Sequence, residues 1–295
     1  MQTVTQLLTE IARTIIEHGT ELLLTHSRLK EVEESPGIIF VGFGTHSWQP
    51  LTVDGLRLQS RIREEFERFH AVLSCLLRKQ SASVRSSLKQ TSSKIKKLID
   101  QQGGTYCHSC KQAAIDFKEA VNEQVQMLTH LFDAADGDHV YVPDTNALLY
   151  NTQLEEWRFD DSAKFVLLLM PTVLSELDSL KVTGKSDAVR EKANKLVRQV
   201  MEYRRRGNLN DGVILRKDSH RLRTIAIEPD FANSLPWLDP NNNDDRILAG
   251  FVEAMRQHPR CPVILVTRDI NLTNKADYAR LPCIQPPGPP VQPGD

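Results

Sequence analysis

A chain of 295 residues, a quarter of them charged and 40% hydrophobic, has the composition of an ordinary globular protein with room for two separate cores, and not of a disordered or fibrous one. Its 37 basic and 38 acidic residues nearly cancel to a net charge of -1, which excludes a globally basic protein and leaves any footprint for a polyanion to be local. No apolar run approaches bilayer length, and Met1-Gln-Thr-Val-Thr-Gln-Leu-Leu has no basic segment ahead of an apolar one, so neither export nor a membrane partner is expected.

In residues 4–29, Leu7, Leu8, Ile11, Ile15, Leu22 and Leu29 recur at roughly helical spacing, which predicts one helix or two with Gly19 as the break. The glycines and β-formers of Pro36-Gly-Ile-Ile-Phe-Val-Gly-Phe-Gly-Thr-His-Ser-Trp predict a short strand or hairpin without a chemical role. Next, Leu58, Ile62, Phe66, Phe69, Leu73 and Leu76 alternate steps of four and three, the pattern of a long helix packed along a narrow seam. That seam needs a facing apolar surface. Helices carrying Val84, Leu88, Ile95 and Leu98 and spanning 113–132 can supply it, as can a protein partner or a second copy in a homodimer. Residues 1–135 are thus expected to form a mainly α-helical N-terminal domain.

At Asp133-Ala-Ala-Asp-Gly-Asp the pattern changes, and β-branched runs at 140–142, 165–169, 213–215 and 263–266 begin to alternate with helical segments. Such alternation predicts an α/β domain on a central parallel sheet, here over 138–286. Residues 287–295, rich in proline and glycine, can form neither helix nor ladder and are expected to be an extended, mobile tail.

The chemistry lies in acids placed where strands end or helices begin. Asp144 closes the run His139-Val-Tyr-Val-Pro, and serves equally as a helix N-cap or as a ligand pointing into a crevice. Glu176 lies about one turn into a helix that Pro171 starts well, a place the helix dipole alone would favour. Asp244 and Asp245 stand at another helix start, where one can cap while the other binds a metal. Asp269 differs, because it comes directly off the most β-like strand and is positioned by a rigid core, which makes it functional on local grounds alone. In an open parallel sheet the carboxyl ends of the strands share one crevice, so these acids can meet there. Several facing carboxylates cannot all stay ionised without a cation, so the arrangement predicts a hard divalent metal and phosphate chemistry.

The segments Val142-Pro-Asp-Thr-Asn-Ala-Leu-Leu, Pro171-Thr-Val-Leu-Ser-Glu-Leu-Asp-Ser-Leu-Lys, Asn243-Asp-Asp-Arg-Ile-Leu and Leu265-Val-Thr-Arg-Asp-Ile-Asn-Leu-Thr-Asn-Lys-Ala resemble, in order, the four acidic motifs of PIN-domain nucleases. The resemblance is closest to PIN domains associated with PhoH-type ATPases and to the endonuclease of nonsense-mediated mRNA decay, and it covers about residues 138–286. It implies a three-layer α/β/α fold and an endoribonuclease that binds Mg²⁺ or Mn²⁺ through Asp144, Glu176, Asp244 and Asp269. The family's third acid precedes the isoleucine by three residues, which selects Asp244, with Asp245 as a second ligand. RNA is the implied substrate, cut hydrolytically to leave a 3′-hydroxyl and a 5′-phosphate. Asn146 can hold a ligand carboxylate or the scissile phosphate, and the Thr267 hydroxyl can support Asp144 or Asp269. The competing reading is a catalytically weak scaffold that binds RNA or a protein partner, which would normally lack an acid. A haloacid-type phosphatase needs a second Asp two residues after the first, where this chain has Asn146.

Other signals are weaker. The five cysteines (Cys75, Cys107, Cys110, Cys261, Cys283) are few and unevenly spread, which fits a reducing, cytoplasmic compartment. Cys107-His-Ser-Cys110 lacks the second pair that makes a zinc site specific, so thiols without metal are expected. His139 and His220 lie near the motifs, but a lone histidine is more often structural or solvated. Residues 68–97 carry Arg78, Lys79, Arg85, Lys89, Lys94, Lys96 and Lys97 with no intervening acid, and 185–206 end in Arg204-Arg-Arg. Neither stretch is interleaved with aromatics, so both suit phosphates and not base reading, with a solvated helix face as the alternative for the first. The second falls inside the nuclease-like region, where RNA contact is expected.

Overall fold

The computed structural model describes residues 4–32, 45–132, 138–160, 162–217, 219–226, 228–258 and 260–289. The chain divides into two compact units, Leu8–Leu131 and Phe132–Asp295, the latter taking in Met1–Leu7.

The first unit holds α1 (Val4–Glu21) from Leu8 onward, a wider helical turn at Leu22–His26, β1 (Leu29–Glu31), β2 (His46–Trp48), α2 (Val53–Leu77), α3 (Ala82–Asp100), β3 (Gly104–Thr105) and α4 (Cys110–Phe132) as far as Leu131. Thr52 starts α2 by accepting the Gly55 N–H on its hydroxyl. Five of the six seam residues of α2 are buried: Ile62, Phe66, Phe69, Leu73 and Leu76 are each at most 1% exposed and each contributes about 1.5–3 kcal/mol of burial, while Leu58 at the start is half-buried. Within the chain, α3 lies against α2, where Gln59 Nε2 donates to the Ile99 carbonyl at 2.7 Å, and against α4, where Gln124 Nε2 donates to Thr91 and Ser92 hydroxyls at 3.0 and 2.9 Å. Three short antiparallel strands, β1-β2-β3, complete the unit.

Two expectations are corrected here. Gly19 does not break α1; a Cβ there would stand 2.1 Å from the Phe117 ring, so the glycine serves close approach of that ring. Leu29 lies in β1 and not in a helix, because Ser27 turns extended and both its N–H and its hydroxyl close the helical turn on the Leu22 carbonyl, at 3.0 and 2.9 Å. Of the stretch read as a strand or hairpin, residues 36–44 lie outside the described residues and the last three form β2.

The second unit runs β4 (His139–Pro143), α5 (Thr145–Tyr150), a turn at Leu154–Glu156, β5 (Phe165–Leu169), α6 (Pro171–Thr183), α7 (Asp187–Arg206), β6 (Val213–Arg216), β7 (His220–Thr224), a turn at Phe231–Asn233, α8 (Asn243–Gln257), β8 (Val263–Val266), α9 (Ile270–Tyr278) and β9 (Cys283–Ile284). Among the described residues the sheet order is β6-β7-β5-β4-β8-β9. It is the expected α/β domain behind a helical region, with one departure from an all-parallel sheet. The link from β6 to β7 is too short for a crossover, so β6 pairs antiparallel on the edge. This hairpin accounts for residues 213–224 of segment 204–238, whose role the sequence leaves open.

Strands β4, β5 and β8 read as near-continuous apolar runs because they are central and covered on both faces. The chain leaves β4 toward β5 on one side, while β8 pairs on the other. The strand order therefore reverses at β4, which opens a crevice at the carboxyl ends of β4 and β8. His220 is 1% exposed, stacked on Phe165 at 4.5 Å, with Nε2 3.0 Å from the Leu154 carbonyl. No described helix is long and apolar enough to cross a membrane. Of the tail, residues 290–295 lie outside the described residues, and the carbonyls of Pro287 and Gly288 accept from Asn151 Nδ2 at 3.2 and 3.1 Å.

Candidate active site

Asp144 leaves β4 with its N–H on the Val266 carbonyl at 3.0 Å, which joins the ends of β4 and β8. It is 1% exposed, and Oδ1 accepts the Ala147 N–H at 2.6 Å as the N-cap of α5. Its other oxygen accepts from Thr267 Oγ1 at 2.5 Å. Capping therefore uses one oxygen, and the alternatives of cap and ligand are not exclusive. The Thr267 hydroxyl also accepts the Asp269 N–H at 2.9 Å, so one buried side chain links two of the acids. Asp269 caps α9 through Oδ1, accepting from the N–H groups of Asn271 and Leu272 at 2.8 and 3.1 Å, while Oδ2 accepts from Asn146 Nδ2 at 3.3 Å. Glu176, on α6, accepts a hydrogen bond from the Thr145 hydroxyl.

Asp144, Thr145, Asn146, Glu176 and Asp244 line one open cleft of about 450 Å³. Asp269 is outside that lining and reaches it through Asn146. Asp245 is engaged elsewhere: Oδ2 accepts the Asp239 N–H at 3.0 Å, and Oδ1 accepts from Lys275 Nζ at 2.6 Å. The same Lys275 stands 3.8 Å from Asp244 Oδ2. Neither aspartate caps α8, contrary to expectation. Asn242 does so, because it stands immediately before the helix, where Oδ1 accepts the Asp245 N–H at 3.3 Å, whereas Asp244 and Asp245 already lie in the first turn.

The electrostatics tie the acids together. Burial pushes the Asp144 carboxyl up to about 6; hydrogen bonds from Thr267 and from the Ala147 N–H oppose this, and the charges of Asp269 and Glu176 add to it. Asp244 is also raised, by burial first and then by Asp269, with Lys275 pulling the other way and Asp245 adding. Every candidate donor is a hard oxygen, the set that suits Mg²⁺ or Mn²⁺. As placed, no three acidic, histidine or cysteine side chains among the described residues are gathered closely enough to hold an ion. A buried carboxyl whose ionisation is resisted by two neighbouring carboxylates nonetheless fits a cation, which would offset all three charges.

The model of the PIN domain family matches residues 141–286. These residues are a PIN domain. No curated protein matches the chain. PIN domains are generally nucleases and generally use divalent metals. In this PIN domain the match begins within β4, ends beyond β9 and contains all four acid positions.

Sequence reasoning did not single out Thr145, Lys275 or the pair Tyr150 and Arg268. Thr145 and Lys275 stand inside the quoted motifs, and charge balance among so many acids was the available signal for Lys275. The Arg268 guanidinium lies 3.9 Å from the centre of the exposed Tyr150 ring. The thiols of the C-x-x-C segment fall outside the PIN domain: Cys107 Sγ donates to Asp116 Oδ2 at 3.7 Å, and Cys110 Sγ to the Ser27 carbonyl at 3.4 Å.

Proposed function

We propose that this PIN domain is a divalent-metal-dependent endoribonuclease, with Asp144, Glu176, Asp244 and Asp269 holding Mg²⁺ or Mn²⁺. The observation that carries the reading is the cleft itself: three acids from β4, α6 and α8 line it, and Asn146 and Thr267 tie the fourth to it. When bound, the ion supplies relief of charge on the phosphate oxygens and acidifies water at neutral pH.

The protein's own groups do the positioning. Thr267 fixes Asp144 and Asp269 relative to each other through its two hydrogen bonds. Asn146 orients Asp269 and, being exposed at the cleft, is within the substrate's path. Asp245, paired with Lys275, supports the site by holding a cation beside Asp244. A carboxylate of the cleft suits orienting the attacking water and taking up its proton. Attack in line leaves a 3′-hydroxyl and a 5′-phosphate.

RNA reaches the site along basic surface. Lys192, Lys195, Arg198, Arg204 and Arg205 on α7 support phosphate contact. The five thiols are free, which supports a cytoplasmic setting. Incubation of the full chain with structured and unstructured RNA in Mg²⁺, Mn²⁺ or EDTA tests the proposal. Metal-dependent cleavage lost on Asp269→Asn is the expected result. RNA binding without cleavage in any metal would leave the scaffold reading standing instead.

A further inference from the structure

Helices α2 and α3 form an antiparallel hairpin, with Gln59 opposite Ile99 and His70 opposite Ser92. On one side of it a pocket of about 390 Å³ opens, and none of the chemistry above uses it. Its residues come from one stripe of each helix, at positions 70, 74, 77 and 78 and then 85, 88, 89, 92, 93 and 96. These are the spacings of three and four that keep side chains on one face.

The rim is cationic, carrying Arg78, Arg85, Lys89 and Lys96, and no acid lines the pocket. Lys96 is paired with Glu67 at 2.8 Å. Arg78, Arg85 and Lys89 are exposed and have no carboxylate partner among the described residues. Three like charges converging on one pocket repel each other, an arrangement that an anionic ligand would relieve.

The floor is polar and ordered. Ser92, 5% exposed, has its hydroxyl 3.0 Å from His70 Nδ1 and accepts from Gln124 Nε2 at 2.9 Å. The Ser74 hydroxyl is 3.3 Å from His70 Nε2. Buried polar groups of this kind are costly unless satisfied, and here Ser74, His70, Ser92 and Gln124 satisfy one another, which holds the floor in place. Leu77 and Leu88 give it an apolar wall.

We infer that this pocket binds the phosphate of a nucleotide, whether part of an RNA strand or of a free nucleotide. Two guanidinium groups and an ammonium match the charge and the several acceptor oxygens of a phosphate, and arginine does so with paired N–H groups. The apolar wall takes the sugar or base, and the volume suits about one nucleotide unit. The site stands on its own geometry and does not depend on the nuclease reading.

The test uses the full chain in EDTA, so that binding is read without cleavage. The probes are a short fluorescent RNA oligonucleotide and AMP. Arg78→Ala, Arg85→Ala and Lys89→Ala are combined, with Arg85→Glu alone as a milder second variant. A charge-matched control removes the exposed Arg13, Lys111 and Lys118, which do not line the pocket. For an RNA occupant, the pocket variant binds about tenfold more weakly, and its slope of log affinity against log salt falls by about 2, near 0.7 for each of three phosphate contacts. For a free nucleotide, AMP binding is lost while RNA binding is unchanged. Unchanged binding of both probes overturns the inference, and so does equal weakening by the pocket and control variants.

Discussion

Replacing Asp144 with asparagine should stabilise the metal-free protein while abolishing the proposed RNA cleavage. The folded protein holds the Asp144 proton with a pKa of about 6, against an ordinary value of 3.8. At 1.36 kcal/mol for each pH unit, that gap corresponds to about 3 kcal/mol. Because the raised value belongs to the folded state, the effect is a destabilisation, fully present above about pH 6 and relieved as the pH falls toward the unfolded value. Asparagine keeps the acceptor for the Ala147 N–H and loses the charge, but it weakens the Thr267 bond, which costs about 1–1.5 kcal/mol. A net gain of about 1.5–2 kcal/mol remains, or a rise of roughly 3–8 °C in the melting temperature of a unit this size. Calorimetry in EDTA near pH 7.5 measures it. Near pH 5, where the native carboxyl is already largely protonated, the charge penalty is about halved, so after the cost of the Thr267 bond the gain should shrink to about 0–0.6 kcal/mol, and it should shrink again in saturating Mg²⁺, which stabilises only the wild type. An asparagine variant that melts below the wild type at neutral pH, or a gain insensitive to pH, would refute the account of Asp144 as a buried, repelled carboxyl.

Asp269→Asn keeps the shape and the caps of α9 but removes a charge that a hard cation needs, so cleavage should fall by about 100-fold or more with an unchanged circular dichroism spectrum. Undiminished Mg²⁺-dependent cleavage by the purified variant would count against the site. Thr267→Val removes the donor to Asp144 and the acceptor for the Asp269 N–H; a loss of about 1–3 kcal/mol in stability and of about 10- to 100-fold in Mn²⁺ affinity is expected, with Thr267→Ser restoring both. Titration calorimetry gives the affinity, and a wild-type value for the valine variant would show that the hydroxyl organises nothing. Gly19→Ala forces the Phe117 ring aside and should cost about 1–3 kcal/mol in thermal melts, with Mn²⁺ affinity unaltered.

The order of strands and helices in the second unit is legible because β4, β5 and β8 are central and their apolar runs are uninterrupted. Strand β7 is not. His-Arg-Leu-Arg-Thr alternates, but its inward residues are His220 and Leu222, and nothing local says that an imidazole will be buried on Phe165. Strands β1, β3 and β9 have only two or three residues each, too short for any periodicity to register. At the cleft, the positions of Asp144 and Asp269 after apolar runs are visible in one dimension. The division of labour between Asp244 and Asp245 is not, because it depends on Lys275 reaching across from α9, thirty residues away. Gly19 shows the converse case, in which local propensity suggests a break and tertiary contact with Phe117 gives the residue a different purpose.

The amide of Asn151 makes the far end of the chain part of the scaffold of helix α5. That helix has six residues, and Asn151 follows it directly, 1% exposed, with Nδ2 bound to the carbonyls of Pro287 and Gly288. A protein trimmed before residue 287 would leave those two N–H bonds unmade in a buried place, at about 1–3 kcal/mol, and would loosen the short helix that presents Thr145 and Asn146. On this side of the domain, tags and truncations therefore belong beyond Gly288. A shortened chain that retains every acid would still lack the two backbone carbonyls that steady the helix beside them.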